Sequence, residues 1–402
     1  MNRKGVALLS SAHVADDLYQ GVVPAMLPFL VAERHYTYAA VSGLTLAATV
    51  LSSVAQPGFG WLTDKRPRRW LISAGLGTAA LGVSAAGLAT SYLLTWLLIA
   101  LSGLGIAAFH PEAARAVRQA AGNSNRAMSV FALGGNAGFA LGSLITTPVL
   151  LVFGLRGTPL LLIPAVVMVI VLLTRSRAIL DGPAGRRHPV RLPVGPDEWP
   201  GFLRLSAIVV VRSIMFFGIT SFIALYFIHH LKASVALGGA ALTIFLVSGA
   251  IGTLAGGIIA DRVGALTSLR LGFALAIPAL AGLVLAGNIA LALVFVVFAG
   301  LASYLPFSVF VILGQDYLPN RIGTASGVTV GLGVSVGGLF NPALGALADA
   351  TSLRLTLAVL IVLPVIALAL SFWLNEPASR ILSRPVRDER PGEAPRDDEL
   401  PR

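Results

Sequence analysis

The chain has 402 residues, 56% of them hydrophobic and only 12% charged, which leaves too little polar side chain to coat a water-soluble globule of this size. It contains no cysteine, so disulfides, cysteine–zinc sites and thiol nucleophiles are excluded. A net charge of +11 would point to nucleic acid in a soluble protein. Here the basic residues fall between apolar runs, where membrane topology accounts for them and no nucleic-acid partner is expected.

A helix needs about 20 predominantly apolar residues to cross roughly 30 Å of hydrocarbon. The apolar runs predict twelve such spans, at 5–31, 39–62, 70–90, 93–119, 126–153, 157–175, 202–229, 235–259, 266–286, 289–317, 323–347 and 353–374. The first is interrupted by polar residues and lacks a small-residue cleavage site, so no removable signal is expected. Alternate gaps carry few cations: Arg34, Arg156, Lys232 and Arg354. The termini and the other gaps carry most of them, including Arg3, Lys4, Lys65, Arg66, Arg68, Arg69, Arg118, Arg126, Arg175, Arg177, Arg262, Arg270 and Arg321. The positive-inside rule then places both termini in the cytoplasm of a bacterial inner-membrane protein. Residues 176–200 contain Gly182-Pro183, Pro189, Pro193 and Gly195-Pro196 and read as a cytoplasmic linker. It divides the chain into two six-helix bundles, 1–175 and 201–375, followed by a charged tail, 376–402, expected to be disordered. The predicted fold class is all-α, with the two bundles related by a pseudo-two-fold axis.

Polar groups inside the spans mark function, because a charge in hydrocarbon costs on the order of 3 kcal/mol on insertion scales. The first span holds His13, Asp16, Asp17 and Gln20. His13 and Asp17 are four residues apart and Asp17 and Gln20 three, so they share a helix face. Asp16 points about 100° away from Asp17, so Asp17 is the carboxylate expected to face a cavity. Gly60-Trp61-Leu62-Thr63-Asp64-Lys65 closes the second span, with Arg68 and Arg69 beyond it. Gly257 to Asp261-Arg262 closes the eighth, 197 residues later. Equivalent motifs at equivalent places imply two homologous halves in parallel orientation. Each aspartate reads as a latch accepting from a neighbouring helix N-terminus or arginine, or as a turn residue that only ends its helix.

The fourth span contains His110-Pro111-Glu112 and Arg115. Pro111 removes a helix hydrogen bond and is expected to break or kink the helix. Glu112 and Arg115 are three apart and can pair, with Arg115 alternatively snorkelling to the cytoplasmic face. The fifth span carries Asn136 amid Gly134-Gly135, Gly138 and Gly142, the last two forming a G-x-x-x-G close-packing face, echoed later by Gly333 and Gly337-Gly338. Arg212 in the seventh span has no acid nearby in sequence and must find a partner on another helix, a carbonyl, water or an anionic substrate.

The repeated Gly-to-Asp segments resemble the G-x-x-x-D-[RK]-x-G-[RK]-[RK] signature of the major facilitator superfamily. Pro67 replaces the second glycine in the first copy, and Ala265-Leu266 replace the basic pair in the second. The fifth span is similar to the antiporter motif of drug exporters, with Ser143 where a proline is expected, and Ile99 stands where the family has an arginine. Taken together, His13-x-x-x-Asp17-x-x-Gln20, Phe109-His110-Pro111-Glu112-Ala113-Ala114-Arg115, Arg212-Ser213 and Gly314-Gln315-Asp316-Tyr317-Leu318-Pro319 resemble the fosmidomycin resistance branch. That resemblance implies export of small compounds, including a phosphonate antibiotic, driven by the proton gradient.

The expected function is therefore proton-coupled efflux by alternating access, with uptake or facilitated diffusion of a small metabolite as the alternative. Desolvation disfavours the charged form of carboxylate and imidazole alike, and Asp17, His13, Glu112 and His110 are the groups expected to exchange protons. Gln20, Arg212, Arg115, Asn136 and Tyr19 are the expected substrate contacts. No cofactor or metal is expected, since His110-Pro111-Glu112 lacks the H-E-x-x-H spacing. No G-x-S-x-G elbow or phosphate-binding loop argues for an enzyme. The expected partners are a small-molecule substrate, protons and lipid, acting on a monomer.

Overall fold

The computed structural model describes residues 2–65, 67–121, 125–180, 195–321, 324–325, 328–329 and 333–378. Residues 181–194 and 379–402, most of the expected linker and tail, lie outside this set, as do the side chains of Asp64 and Lys65. The described chain is helical throughout: α1 (Arg3–Arg34), α2 (Tyr38–Lys65), α3 (Trp70–Ala86), α4 (Tyr92–Ala121), α5 (Asn125–Phe153), α6 (Leu162–Leu180), α7 (Trp199–Leu225), α8 (Val235–Val263), α9 (Ala265–Leu285), α10 (Ile289–Tyr304), α11 (Phe307–Tyr317), α12 (Gly333–Leu339), α13 (Asn341–Ala350), α14 (Leu353–Val359) and α15 (Val362–Ser371). Among the described residues, eight helical stretches are long and apolar enough to cross a membrane. α1 has the length, at 32 residues, but its polar load keeps it out of that group; α3, at 17 residues, is too short.

Three boundaries depart from expectation for local reasons. The fifth and sixth spans form one apolar stretch, Val130–Ser176, in which a short 3₁₀ segment turns the chain. Gly154 makes that turn at φ 60°, which favours glycine, and the Glu33 carboxylate accepts from the next N–H, that of Leu155, at 3.1 Å. The tenth span is interrupted at Leu305–Pro306, where proline cannot donate the bond a continuous helix needs. In contrast, α4 is not broken at Pro111 and runs on to Ala121. The carbonyl left without its helical donor by Pro111 is that of Ala107, while the His110 ring Nδ1 lies 2.9 Å from the neighbouring Ile106 carbonyl.

α1 lies at the centre, buried along most of its length, and its closest partner is α5. The contact is backbone against backbone. A Cβ at Gly134 would sit 2.9 Å from the Ser10 carbonyl, and Cβ atoms at Gly138 and Gly142 would collide with the carbonyls of Val14 and Leu18. Gly21 returns the fit against the Phe139 carbonyl. Glycine every fourth residue on α5 thus meets α1 carbonyls every fourth residue. Lipid supplies no hydrophobic force between helices, so this close approach holds the pair together.

The helices before and after the 181–194 gap meet along two seams. α2 packs on α12 and α13, where Ser42 lies beneath Gly345 and Thr49 beneath Gly338. At the start of α2, the Asp349 carboxylate accepts from the N–H groups of Tyr38 and Ala39, both at 2.8 Å, capping a helix from the other half of the chain. α5 packs on α8 through Ser143 Oγ and Thr243 Oγ1 at 3.0 Å, with Gly239 against Thr147.

Gly142→Ala is expected to lower the thermal midpoint of the purified protein, since its methyl meets backbone that cannot rotate away, an overpacking cost of about 1–3 kcal/mol. Gly77→Ala, with nothing within 4 Å of the new methyl, is the control and should not destabilise. Equal midpoints for the two variants would contradict the backbone-contact account.

Candidate functional site

Three helices bring the intramembrane polar groups to one place. α1 supplies His13, Asp16, Asp17 and Gln20, α4 supplies His110, and α5 supplies a backbone carbonyl. His13 Nδ1 lies 2.7 Å from the Phe131 carbonyl, and His110 Nδ1 2.9 Å from the Ile106 carbonyl. A carbonyl only accepts, so each Nδ1 carries hydrogen and donates. That fixes both rings with Nε2 pointing at the other: the two Nε2 atoms are 3.3 Å apart. Asp17 completes the triangle, with Oδ2 3.3 Å from His13 Nε2 and Oδ1 3.2 Å from His110 Nε2. Gln20 donates to Asp17 Oδ1 at 2.5 Å.

Two bare Nε2 lone pairs facing each other and a carboxylate would repel. The cluster is satisfied only when a proton sits on at least one of these atoms, so the geometry is built to hold a proton between three groups. The rings are packed in place: His13 stacks on Phe131 at 4.2 Å and meets His110 edge-on at 5.1 Å. His13 and Asp17 are buried, and the His110 side chain is 22% exposed. One donor atom from each of His13, Asp17 and His110 lies within 4.8 Å of the others, so the set could also admit a small cation, although every member is already engaged with its neighbours.

Gln20 leads from the cluster to an internal cavity of about 40 Å³, large enough for water and lined also by Tyr19, Thr45, Thr49, Phe139, Phe217 and Thr220. The lining thus comes from both sides of the 181–194 gap. Tyr19 has its hydroxyl committed: it donates to the Leu161 carbonyl at 2.8 Å and accepts from Ala165 N–H at 3.1 Å. Only its ring is available to a ligand.

The other expected site residues are dispersed. Glu112 is fully buried and takes Arg115 Nε at 3.0 Å, with Arg115 Nη2 on its second oxygen. This pair lies apart from the His13–Asp17–His110 triangle. Asn136 reaches Thr253 at 3.5 Å, joining α5 to α8. Arg212 is buried, donates from Nε to the Ser303 carbonyl at 3.1 Å, and leaves Nη2 without a hydrogen bond. Its guanidinium faces the rings of Phe216, Tyr304 and Phe307 at 4.9, 5.1 and 5.3 Å. Of the gating residues, Asp261 and Arg262 are exposed, Arg68 and Arg69 half-buried, and Gly60 and Gly257 have open space or distant neighbours.

Sequence reasoning passed over two groups. Asp16 is fully buried with neither oxygen hydrogen-bonded, and only knowing which helix lies on its side of α1 gives it meaning. Asp349 caps α2 across 311 residues of chain, and no local pattern announces such a contact.

The model of the Major Facilitator Superfamily matches residues 9–340. The chain belongs to this superfamily. It is 32% identical over 375 residues to an uncharacterised MFS-type transporter, YfnC, of Bacillus subtilis (strain 168), covering 90% of both chains. It is 28% identical over 376 residues to the fosmidomycin resistance protein of Escherichia coli (strain K12), covering 90% of this chain and 91% of that one. Among solved structures, it resembles a bacterial homologue of the human lysosomal transporter Spinster in an inward-facing, occupied conformation, with TM-score 0.77, 16% identity and coverage of 92% and 96%. It also resembles a POT family transporter in complex with 5-aminolevulinic acid, with TM-score 0.73, 12% identity and coverage of 92% and 95%. The chain is thus a multi-pass membrane transporter of the superfamily.

In this transporter, α5 comes close to the triangle at Gly135, where a Cβ would lie 2.8 Å from the His13 ring and collide with Asp17 Oδ2. Gly135→Ala is therefore expected to push the triangle apart. Ring-¹⁵N magnetic resonance of the protein in lipid should show both histidines as Nδ1–H tautomers in wild type and an altered His13 signal in the variant. An unchanged spectrum would contradict the placement of α5.

Proposed function

We propose that this transporter is a proton-coupled exporter of small organic compounds that works by alternating access. The observation that carries this reading is the Asp17 carboxylate held between two histidine Nε2 atoms, at 3.3 and 3.2 Å, and tied through Gln20 to a cavity shared by both halves of the chain. A coupled exporter needs a site whose protonation changes the charge facing the substrate. Loading a proton onto this triangle neutralises Asp17 and frees Gln20 from it; losing the proton restores the carboxylate. Arg212, a buried guanidinium with an unbonded Nη2, is suited to an anionic group of the substrate, with Gln20 and the Tyr19 ring at the cavity, and Asn136, as further contacts.

The architecture in this reading has twelve spans. α1 to α6 form one six-helix bundle, residues 1–175. α7, α8, α9, the broken pair α10–α11, the pair α12–α13 and the pair α14–α15 form the other, residues 201–375. A cytoplasmic linker, 176–200, joins them, and both termini face the cytoplasm. The halves meet where Asp349 caps α2, the end away from the termini, while Asp261 and Arg262 at the opposite end are exposed. This favours an inward-facing arrangement with the Gly257–Asp261 latch disengaged. Export is the preferred direction because a 28%-identical relative bears the name of a fosmidomycin resistance protein.

The test is growth of a drug-sensitive bacterium on a compound panel that includes fosmidomycin, with wild type and Asp17→Asn present at equal membrane levels. Resistance conferred by wild type and lost in the variant is the expected result. A variant that pumps as well as wild type would sink the proton assignment; cells that accumulate a compound without gaining resistance would reverse the direction.

A further inference from the structure

Asp16 stands beside the triangle but outside it. Its carboxyl is fully buried, and neither oxygen has a hydrogen-bond partner. The helical turn that aims Asp17 at His13 aims Asp16 about 100° away, toward α4. There the nearest ionisable atom is His110 Nδ1, 3.7 Å from Asp16 Oδ2. The same ring holds Asp17 Oδ1 at 3.2 Å with its other nitrogen. His110 therefore stands between two carboxyls, one at each ring nitrogen. The remaining groups facing Asp16 are few: Asp17 on its own helix and Tyr19, whose hydroxyl is spent on Leu161 and Ala165. α3 contains no ionisable side chain, and those of α2 and α6 lie at their ends. A buried carboxylate with no hydrogen-bond donor, facing an imidazole that pairs with it only when protonated, is unfavourable, whereas a carboxyl that has taken a proton is tolerated there.

We infer that Asp16 is a second proton-binding site, and that His110 is the relay connecting it to Asp17; the inference rests on the proton-coupled reading above. The transfer balances without any other reactant. A proton on Asp17 passes to His110 Nε2, the ring releases the hydrogen on its Nδ1 to Asp16 Oδ2, and the imidazole ends neutral in its opposite tautomer. Asp17 is then ionised and Asp16 protonated, with the total charge unchanged. The Nδ1 hydrogen now lies on the Ile106 carbonyl at 2.9 Å, so the transfer requires the His110 ring to turn off that carbonyl and close the 3.7 Å separation to Asp16 Oδ2. Asp17 faces the cavity through Gln20 and loads first, while Asp16, with no exposed atom, stores the proton away from water.

The experiment is pH-difference infrared spectroscopy of the full chain in lipid, read at the carbonyl stretch of buried protonated carboxyls. Wild type is expected to show two such bands that change with pH. Asp16→Asn should remove one and keep the other, Asp17→Asn the reverse, and His110→Asn should leave the Asp16 band present but slow its hydrogen–deuterium exchange. A wild-type spectrum with a single band, or one identical to that of Asp16→Asn, would overturn the inference. If Asp16→Asn does not insert, the wild-type band count and the His110→Asn exchange rate decide it. The proton-coupled reading fails separately, through normal pumping by Asp17→Asn, which leaves the Asp16 band unaffected.

Discussion

Hydrocarbon offers no water to an ionised group, and that constraint organises the first half of this molecule. Two adjacent carboxyls on α1 cannot remain in the membrane unless other helices bring partners to them. The partners come from α4 and α5. They can do so only because α5 approaches α1 at backbone distance, with Gly134, Gly138 and Gly142 set against successive α1 carbonyls. The glycine face is therefore more than a packing device. It brings the Phe131 carbonyl to His13, the carbonyl orients the ring, and the ring orients Asp17.

The second half answers the same constraint differently. Arg212 finds no carboxylate among the described residues and is held by a carbonyl and three aromatic faces. Tyr304 and Phe307 flank the interruption of the tenth span at Leu305–Pro306, and both rings face the guanidinium. Aromatic faces stabilise a cation without neutralising it, so the site keeps its positive charge while remaining dry. An acid cluster before residues 181–194 and a cation held after them make the two halves electrostatically unlike, although the sequence repeats a motif between them.

The hydrogen bonds across the seam between the halves are few: hydroxyls of Ser143 and Thr243, Thr45 and Ser221, and the Asp349 cap on α2. Such contacts are individually weak and are suited to forming and breaking. The α1–α5 contact, by comparison, is rigid. Motion between halves and rigidity within one half are what a rocking transporter requires.

Composition and spacing alone were enough for the membrane class, the helical fold and the linking of His13, Asp17 and Gln20 on one face, because those properties depend on local hydropathy and helix period. The family followed from motifs that are likewise local. The sequence also pointed correctly to Gly138 and Gly142 as a packing face. Tertiary structure decided the rest. Helix period could say that Asp16 and Asp17 diverge, but not that His110 would lie between them, since that depends on where α4 packs. Proline chemistry allowed a break or a kink at Pro111, and the helix runs on through it to Ala121. Asp349 caps α2 from 311 residues away, a contact that no local pattern announces. For Asp16 and Asp349 alike the deciding partner is distant in the chain, and such a partner is not encoded in local periodicity.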